Sequence, residues 1–113
     1  SRGDTFQALR HHRFADPLAE PGLADLTAHV DFDAIARAAH PARASRMIPQ
    51  GILLTRLGIQ QRSARLADRL TAAPLAAHLS ATRRLTDPAE MGSLFKALAI
   101  FPAQAAAPPG FDL

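Results

Sequence analysis

The fold depends on one stretch of sequence, Ala24-Asp25-Leu26-Thr27-Ala28-His29-Val30-Asp31-Phe32. From Ala24 to Val30, apolar and polar side chains alternate, which is the pattern of a half-buried strand. Asp31 ends the alternation and is a favourable N-cap, because its carboxylate can accept hydrogen bonds from the free N–H groups of a following helical turn. Apolar residues then recur at helical spacing from Phe32. The stretch is therefore predicted to be an extended segment that runs into a short helix.

The polar side chains of this stretch share one face of the predicted strand. Asp25, Thr27 and His29 alternate with the apolar residues, so all three project to the same side. Such a row can line a cleft and bind a polar ligand. It can equally face water, with Asp25 capping a turn and Asp31 capping the helix. The residues alone leave both interpretations open.

The length and composition indicate one domain or less. The chain has 113 residues, of which 48% are hydrophobic, but alanine dominates this fraction and neither Trp nor Tyr is present. A chain of this length buries about two thirds of its unfolded surface. Because alanine contributes little buried area, the core is expected to be thin. The chain begins with Ser1 rather than methionine, so we expect it to be a piece of a longer protein.

Charge and residue types exclude several classes of function. The net charge is +3, and all but one of the 13 basic residues are arginines, which are scattered and not interleaved with aromatics. This argues against a nucleic-acid surface. No cysteine and no H-x-x-x-H spacing is present, so no metal site is predicted. No apolar run approaches the ~20 residues that span a bilayer.

Turn and cap residues divide the rest of the chain into short elements. The helix after Asp31 should end near His40, because Pro41 cannot continue it. A short strand is predicted at 46–48, and a helix at 50–57 that stops at Gly58. An amphipathic helix follows from Ile59, with Ser63, Leu66 and Leu70 on its inner face and arginines outside.

The C-terminal third is predicted from three further signals. Pro74 is expected to occupy the first position of a helix whose inner stripe is Leu75, Leu79, Thr82 and Leu85. Asp87-Pro88-Ala89-Glu90 has the residues of a helix start. The apolar run 94–101 indicates a buried strand, although periodicity does not exclude a helix. Residues 103–113 form a Pro/Ala tail that we expect to be extended or loose.

Several short blocks together resemble one protein family. The blocks are Gly3-Asp4-Thr5-Phe6-Gln7-Ala8, His12, Asp16-Pro17-Leu18, Pro21-Gly22, the central stretch, Pro49-Gln50-Gly51, Leu57-Gly58-Ile59, Leu85-Thr86-Asp87-Pro88, Met91-Gly92, Leu94-Phe95-Lys96-Ala97-Leu98-Ala99 and Pro108-Pro109-Gly110-Phe111. In this order and spacing, they resemble the C-terminal half of the MidA-like S-adenosylmethionine-dependent methyltransferases. The resemblance covers essentially the whole chain.

The resemblance implies an α/β fold. Residues 1–113 would be the C-terminal part of a Rossmann-like class I methyltransferase domain, with the last strands of a mostly parallel sheet and several helices. The implied activity is methyl transfer from S-adenosylmethionine to a protein arginine. One feature of the family is missing, because no two of the six glycines lie within three residues of each other, so the glycine-rich cofactor loop is absent. We therefore expect no cofactor-binding residue here, and no activity from the 113 residues alone.

Within the family-like blocks, carboxylates are the candidates for the acceptor site. Methyl transfer to a guanidinium needs a carboxylate that orients it and accepts its charge or proton. Asp25 is predicted to be this catalytic residue. Asp4, Thr5, His12 and Thr27 are predicted to bind the substrate.

The resemblance also implies partners and a location. The partners would be a protein substrate, such as a respiratory complex I subunit, and the N-terminal half of the same enzyme; a homodimer is an open alternative. The location would be the cytoplasm in bacteria and the mitochondrial matrix in eukaryotes. The alternative function is a non-catalytic assembly or protein-binding module that docks through its arginine faces.

Overall fold

The chain forms two compact units, Ser1–Ile35 and Ala36–Leu113. The computed structural model describes the strand residues 7–10, 13–15 and 25–27, Gly22, and residues 29–113.

The first unit contains a three-stranded antiparallel sheet. Its strands are β1 (Gln7–Arg10), β2 (Arg13–Ala15) and β3 (Asp25–Thr27). The strand order is β2-β1-β3, so among the described strands β3 lies at an edge of the sheet. The extended segment predicted from the alternation is thus confirmed over Asp25–Thr27. The strand is shorter than the pattern, because His29 and Val30 lie outside it and are exposed.

The helix that follows is α1, Phe32–Ala38. Asp31 caps it as predicted, because its Oδ1 accepts a hydrogen bond of 3.1 Å from the Ala34 N–H. Its carbonyl also accepts from the Ile35 N–H at 3.2 Å. The helix ends before Pro41, which confirms the predicted stop and agrees with the missing N–H of proline.

The second unit is built from helices and two short antiparallel strand pairs. Its strands are β4 (Arg43–Ala44), β5 (Ile48–Pro49), β6 (Lys96–Ala97) and β7 (Ile100–Phe101). Its helices are α2 (Gln50–Arg56), α3 (Ile59–Ala67), α4 (Ala72–Thr86) and α5 (Met91–Leu94). The strand β4 pairs with β7, and β5 pairs with β6.

The prediction of one buried strand over 94–101 is wrong. Leu94 ends α5 and is 73% exposed, and two separate strands follow. The segment is divided because its backbone groups bind different parts of the chain. The Phe95 carbonyl accepts from the Gln50 N–H at 2.9 Å, and the Ala99 carbonyl accepts from the Ser45 N–H at 2.9 Å. The paired strands in the described part of the chain are also antiparallel, not parallel as the resemblance implies.

Two helix starts also differ from the prediction. Pro74 lies inside the first turn of α4, which begins at Ala72. A proline is tolerated there, because the first N–H groups of a helix have no intrahelical acceptor. Asp87 closes a turn instead of starting a helix, since its Oδ1 accepts from the Ala89 N–H at 2.8 Å. The predicted stop at Gly58 is confirmed, with φ of +91° directly after α2.

The buried core of the second unit is thin. Among the residues whose burial is described, the buried hydrophobic side chains are Ile48 and Phe101, each 5% exposed. The Arg43 guanidinium lies 5.4 Å from the centre of the Phe101 ring and covers it. Large apolar side chains such as Phe95 and Ile100 are about half exposed.

The end of the chain lies against α2. The Arg46 N–H donates to the Asp112 carbonyl at 2.8 Å. The Arg56 Nη1 donates to the Gly110 carbonyl at 3.1 Å and to the Asp112 carboxylate at 3.0 Å. Gly110 has φ of +89°, and a Cβ there would lie 2.7 Å from a methyl of Leu53. The terminal residues thus have defined contacts without forming a helix or a strand. No helix among the described residues has the length and apolar character needed to cross a membrane.

Candidate functional site

The predicted acceptor-site residues belong to the first unit. Asp25 is the first residue of β3 and is paired with Leu9 of β1, while Thr27 is paired with Gln7. The two residues are thus held by the ladder between β1 and β3. Asp4, Thr5 and His12 lie outside the described residues. Their grouping with Asp25 and Thr27 stays a prediction.

In the second unit, three of the family-like blocks meet around one backbone carbonyl, that of Thr86. A Cβ placed on Gly51 or on Gly92 would overlap the Thr86 oxygen, and the Gly51 position would also lie 3.1 Å from the Gly92 Cα. These two glycines therefore allow α2 and α5 to approach the end of α4. Close packing therefore explains why glycine occupies these two positions of the family-like blocks.

Gln50 connects the same three helices by hydrogen bonds. Its side-chain Nε2 donates to the Leu85 carbonyl at 2.9 Å, across 35 residues of sequence. That carbonyl lies in the last turn of α4, where intrahelical donors are absent. Its backbone N–H donates to the carbonyl of Phe95, the residue directly after α5, so Gln50 holds the start of α2 between the ends of α4 and α5.

A groove opens beside this junction. Its volume is about 350 Å³, and Pro49, Ile52, Arg56, Pro88 and Ser93 are among the residues that line it. The guanidinium of Arg56 is held at its border by Gly110 and Asp112. Arg56 was not predicted from the sequence, because its partners are in the C-terminal tail, which the composition predicts to be loose.

A second polar cluster lies between α3 and α4. The Ser63 Oγ is 3.0 Å from His78 Nε2 and 3.0 Å from Thr82 Oγ1. Ser63 is 8% exposed, in agreement with its predicted inward position, whereas Leu66, predicted on the same inner face, is 43% exposed. His78 was not predicted from the sequence, although it is three residues after Leu75 and four before Thr82 and so shares their helix face.

The hydrogen-bond directions in this cluster can be assigned from its acceptors. His78 Nε2 lies 3.0 Å from the Ser63 carbonyl oxygen, which can only accept, so this nitrogen carries a proton. The Ser63 hydroxyl then donates to Thr82, and the Thr82 hydroxyl donates to the His78 carbonyl at 3.1 Å. An imidazole nitrogen that donates does not remove a proton from serine. The cluster therefore holds two helices together and is not a nucleophile–base pair.

Removing the Thr82 hydroxyl should lower the free energy of unfolding by about 1–2 kcal/mol. In Thr82→Val, the buried Ser63 hydroxyl loses its acceptor and the His78 carbonyl loses a donor. Urea unfolding followed by circular dichroism measures the effect. Ser80→Ala is the control on the same helix, because Ser80 is exposed. Equal stabilities of the Thr82→Val and Ser80→Ala variants would contradict the assigned network.

The described glycines have two kinds of surroundings. Gly51 and Gly92 face the Thr86 backbone, and Gly110 faces Leu53 and Leu57, so these three are explained by close packing. Gly22 and Gly58 have positive φ and face largely open space. Within the described part of the chain, no group of three His, Asp or Glu side chains has the geometry of a metal site.

Comparisons with known proteins identify the class of protein to which this chain is related. Residues 1–50 match a family of S-adenosyl-L-methionine-dependent methyltransferases. Two crystal structures from Burkholderia thailandensis align with 91% of the chain, at 32% and 33% identity and with TM-scores of 0.74 and 0.77. The second of these contains S-adenosyl-homocysteine. The chain is thus a relative of the MidA-like methyltransferases, and the α/β fold class is confirmed.

Particular relatives are the mitochondrial proteins named protein arginine methyltransferase NDUFAF7. The Drosophila melanogaster homolog is 42% identical over 111 residues, which include 92% of this chain. The Homo sapiens protein is 35% identical over 106 residues, again 92% of this chain. The chain spans about a quarter of the length of these curated relatives (24% of each) and of the aligned crystal structures (28% and 27%).

Proposed function

We propose that the chain is the C-terminal part of an S-adenosylmethionine-dependent methyltransferase that acts on a protein arginine. The main support is the 42% identity over 111 residues to a protein arginine methyltransferase homolog, because this alignment includes both units of the chain. The packing of Gly51 and Gly92 around Thr86 adds support, since it gives three family-like blocks a shared structural purpose.

In this function, the chain supplies elements of the fold and the acceptor side of the site. S-adenosylmethionine is bound mainly by residues outside this chain, a proposal that rests on the wide spacing of the six glycines in the sequence. When bound, the cofactor supplies the methyl group. Asp25 accepts hydrogen bonds from the guanidinium of the substrate arginine and orients it, because a carboxylate pairs with two guanidinium N–H groups at once. Asp4, Thr5, His12 and Thr27 bind the surrounding substrate.

Relatives named as mitochondrial protein arginine methyltransferases support a protein substrate and, in a eukaryote, a mitochondrial location. We propose the finer partners and locations from the resemblance to the family. The substrate is a protein, with a subunit of respiratory complex I as the specific candidate, and the N-terminal half of the enzyme completes the site. The location is the mitochondrial matrix in a eukaryote, in keeping with relatives named as mitochondrial, and the cytoplasm in a bacterium.

A methylation assay tests the reaction. The complete enzyme that contains this chain, given S-adenosylmethionine with a labelled methyl group and a protein extract, should place the label on arginine side chains. Mass spectrometry of the labelled peptides identifies the modified residue. The heat-denatured enzyme is the control. Label on a small molecule, or on another type of side chain, would contradict the proposed acceptor.

A separate titration tests where the cofactor is bound. The 113 residues alone should give no heat of binding with S-adenosylhomocysteine in calorimetry and should transfer no methyl group. The complete enzyme should bind the same compound under the same conditions. Binding by the isolated chain would show that its own residues hold the cofactor.

A further inference from the structure

Three arginines form a ridge on the outer side of α3, called the α3 ridge here and defined as Arg62, Arg65 and Arg69. The first two lie within the helix, and Arg69 follows in a turn that continues it, since its N–H donates to the Leu66 carbonyl at 3.3 Å. Residues at i, i+3 and i+7 lie on one side of a helix, about two turns apart from end to end. All three are exposed, whereas Ser63 on the inner side is buried against α4.

Helix stability does not explain the ridge. No acidic residue is present in the first turn of α3, and Arg62 lies in the N-terminal half, where the helix dipole disfavours a cation. Arg65 and Arg69 are better placed near the C-terminus, but neighbours at i+3 and i+4 with like charges repel each other. The exposed Asp68 lies three residues after Arg65 and directly before Arg69, but among the described residues no ion pair joins it to the ridge. Among the described residues, the ion pair formed by an arginine joins Arg56 to Asp112 and leaves the ridge unpaired.

We propose that the α3 ridge docks an acidic segment of a partner protein. Three positive charges in a row are complementary to carboxylates spaced by one helical turn, and each guanidinium can bind a carboxylate with two parallel hydrogen bonds. The surface lacks the features of other polyanion sites. No aromatic residue lies in 59–70 for bases to stack on. Gln60 and Gln61 are exposed and polar, and Leu66, which is 43% exposed, is the one large apolar side chain of 59–70 that is exposed, so this surface has little apolar area to enter a lipid layer.

The docking is independent of methyl transfer, so it can be measured by binding alone. The probe is a fluorescein-labelled, alanine-rich helical peptide with glutamates at i, i+3 and i+7, and its anisotropy is followed as the protein is added. The same peptide with glutamines is the control probe. The test variant is Arg62→Glu/Arg65→Glu/Arg69→Glu, and circular dichroism verifies that it is folded. Arg62→Gln/Arg65→Gln/Arg69→Gln is the milder second variant.

A matched variant separates the ridge from net charge. Arg37→Glu/Arg83→Glu/Arg84→Glu changes the total charge equally at exposed positions outside the ridge. We expect the ridge variant to bind the glutamate peptide about tenfold more weakly or worse, and the matched variant to bind within about twofold of the parent. Binding by the parent should also weaken between about 0.05 and 0.5 M salt, because the charges are exposed.

Three results would overturn the proposal. Equal losses in the ridge and matched variants would show that only net charge matters. Equal binding of the glutamate and glutamine peptides would show that no carboxylate is recognised. Tighter binding of single-stranded DNA or phosphatidylserine vesicles than of the peptide, lost in the ridge variant, would assign the ridge to a nucleic acid or to a membrane.

Discussion

Gly92→Ala should lower the free energy of unfolding by about 2–3 kcal/mol, the upper range for overpacking of a dense interior. A Cβ at this position would lie 2.5 Å from the Thr86 carbonyl carbon and 2.7 Å from the Asp87 oxygen, besides overlapping the Thr86 oxygen. These atoms belong to backbone, which cannot move aside as a flexible side chain can. Helix propensity alone would favour alanine by about 1 kcal/mol, so steric overlap decides the sign of the effect.

Chemical denaturation of the variant measures this loss. Ala76→Gly is the matched control, because it exchanges the same methyl group on the exposed surface of α4, where only propensity should act and about 1 kcal/mol should be lost. A Gly92→Ala protein as stable as the parent, or more stable, would show that α5 does not pack against the end of α4 as described.

Asp25→Ala should reduce kcat/KM for methyl transfer by about 10²- to 10⁴-fold in the complete enzyme, the range for a positioned acid–base group. Aspartate is unfavourable in strands, so its position at the start of β3 is not explained by strand stability. Because the cofactor is proposed to be bound by other residues, binding of S-adenosylhomocysteine should be unchanged. Activity assays and calorimetry on the same preparation separate the two effects.

Two further variants qualify the result for Asp25. Asp33→Ala removes an exposed carboxylate from the first turn of α1 and should leave methyl transfer unchanged. Asp25→Asn keeps an acceptor oxygen but no charge, so it should retain more activity than alanine if orientation contributes. Parental turnover in Asp25→Ala would remove this residue from the site.

Signals that act within one helical turn were predicted correctly from the sequence. Asp31 caps α1, and Gly58 follows the end of α2 with positive φ, because both effects depend on the neighbouring backbone alone. The same holds for the extended conformation of Asp25–Thr27, which the alternation predicts.

Features that depend on distant partners could not be predicted in this way. The apolar run 94–101 has the composition of a strand, but its carbonyl groups bind Ser45 and Gln50, which divide it. An isolated glycine such as Gly92 indicates that another group packs closely against it, but the sequence does not identify that group. In the structure it is the backbone of Thr86. In the candidate site, Asp25 was predicted from the alternating stretch and its family-like block. The partners of Arg56 are Gly110 and Asp112 in the C-terminal tail, and only the three-dimensional structure brings them to this arginine.

The antiparallel pairing of β4 with β7 and of β5 with β6 has a consequence for synthesis of the protein. Ser45 and its partner Ala99 are separated by 54 residues, so the early strands leave the ribosome well before their partners are made. At about 5–20 residues per second, this delay is about 3–11 s. During translation, residues 43–49 should therefore expose unpaired backbone and the side chain of Ile48. This interval is when the nascent chain should be most dependent on chaperones.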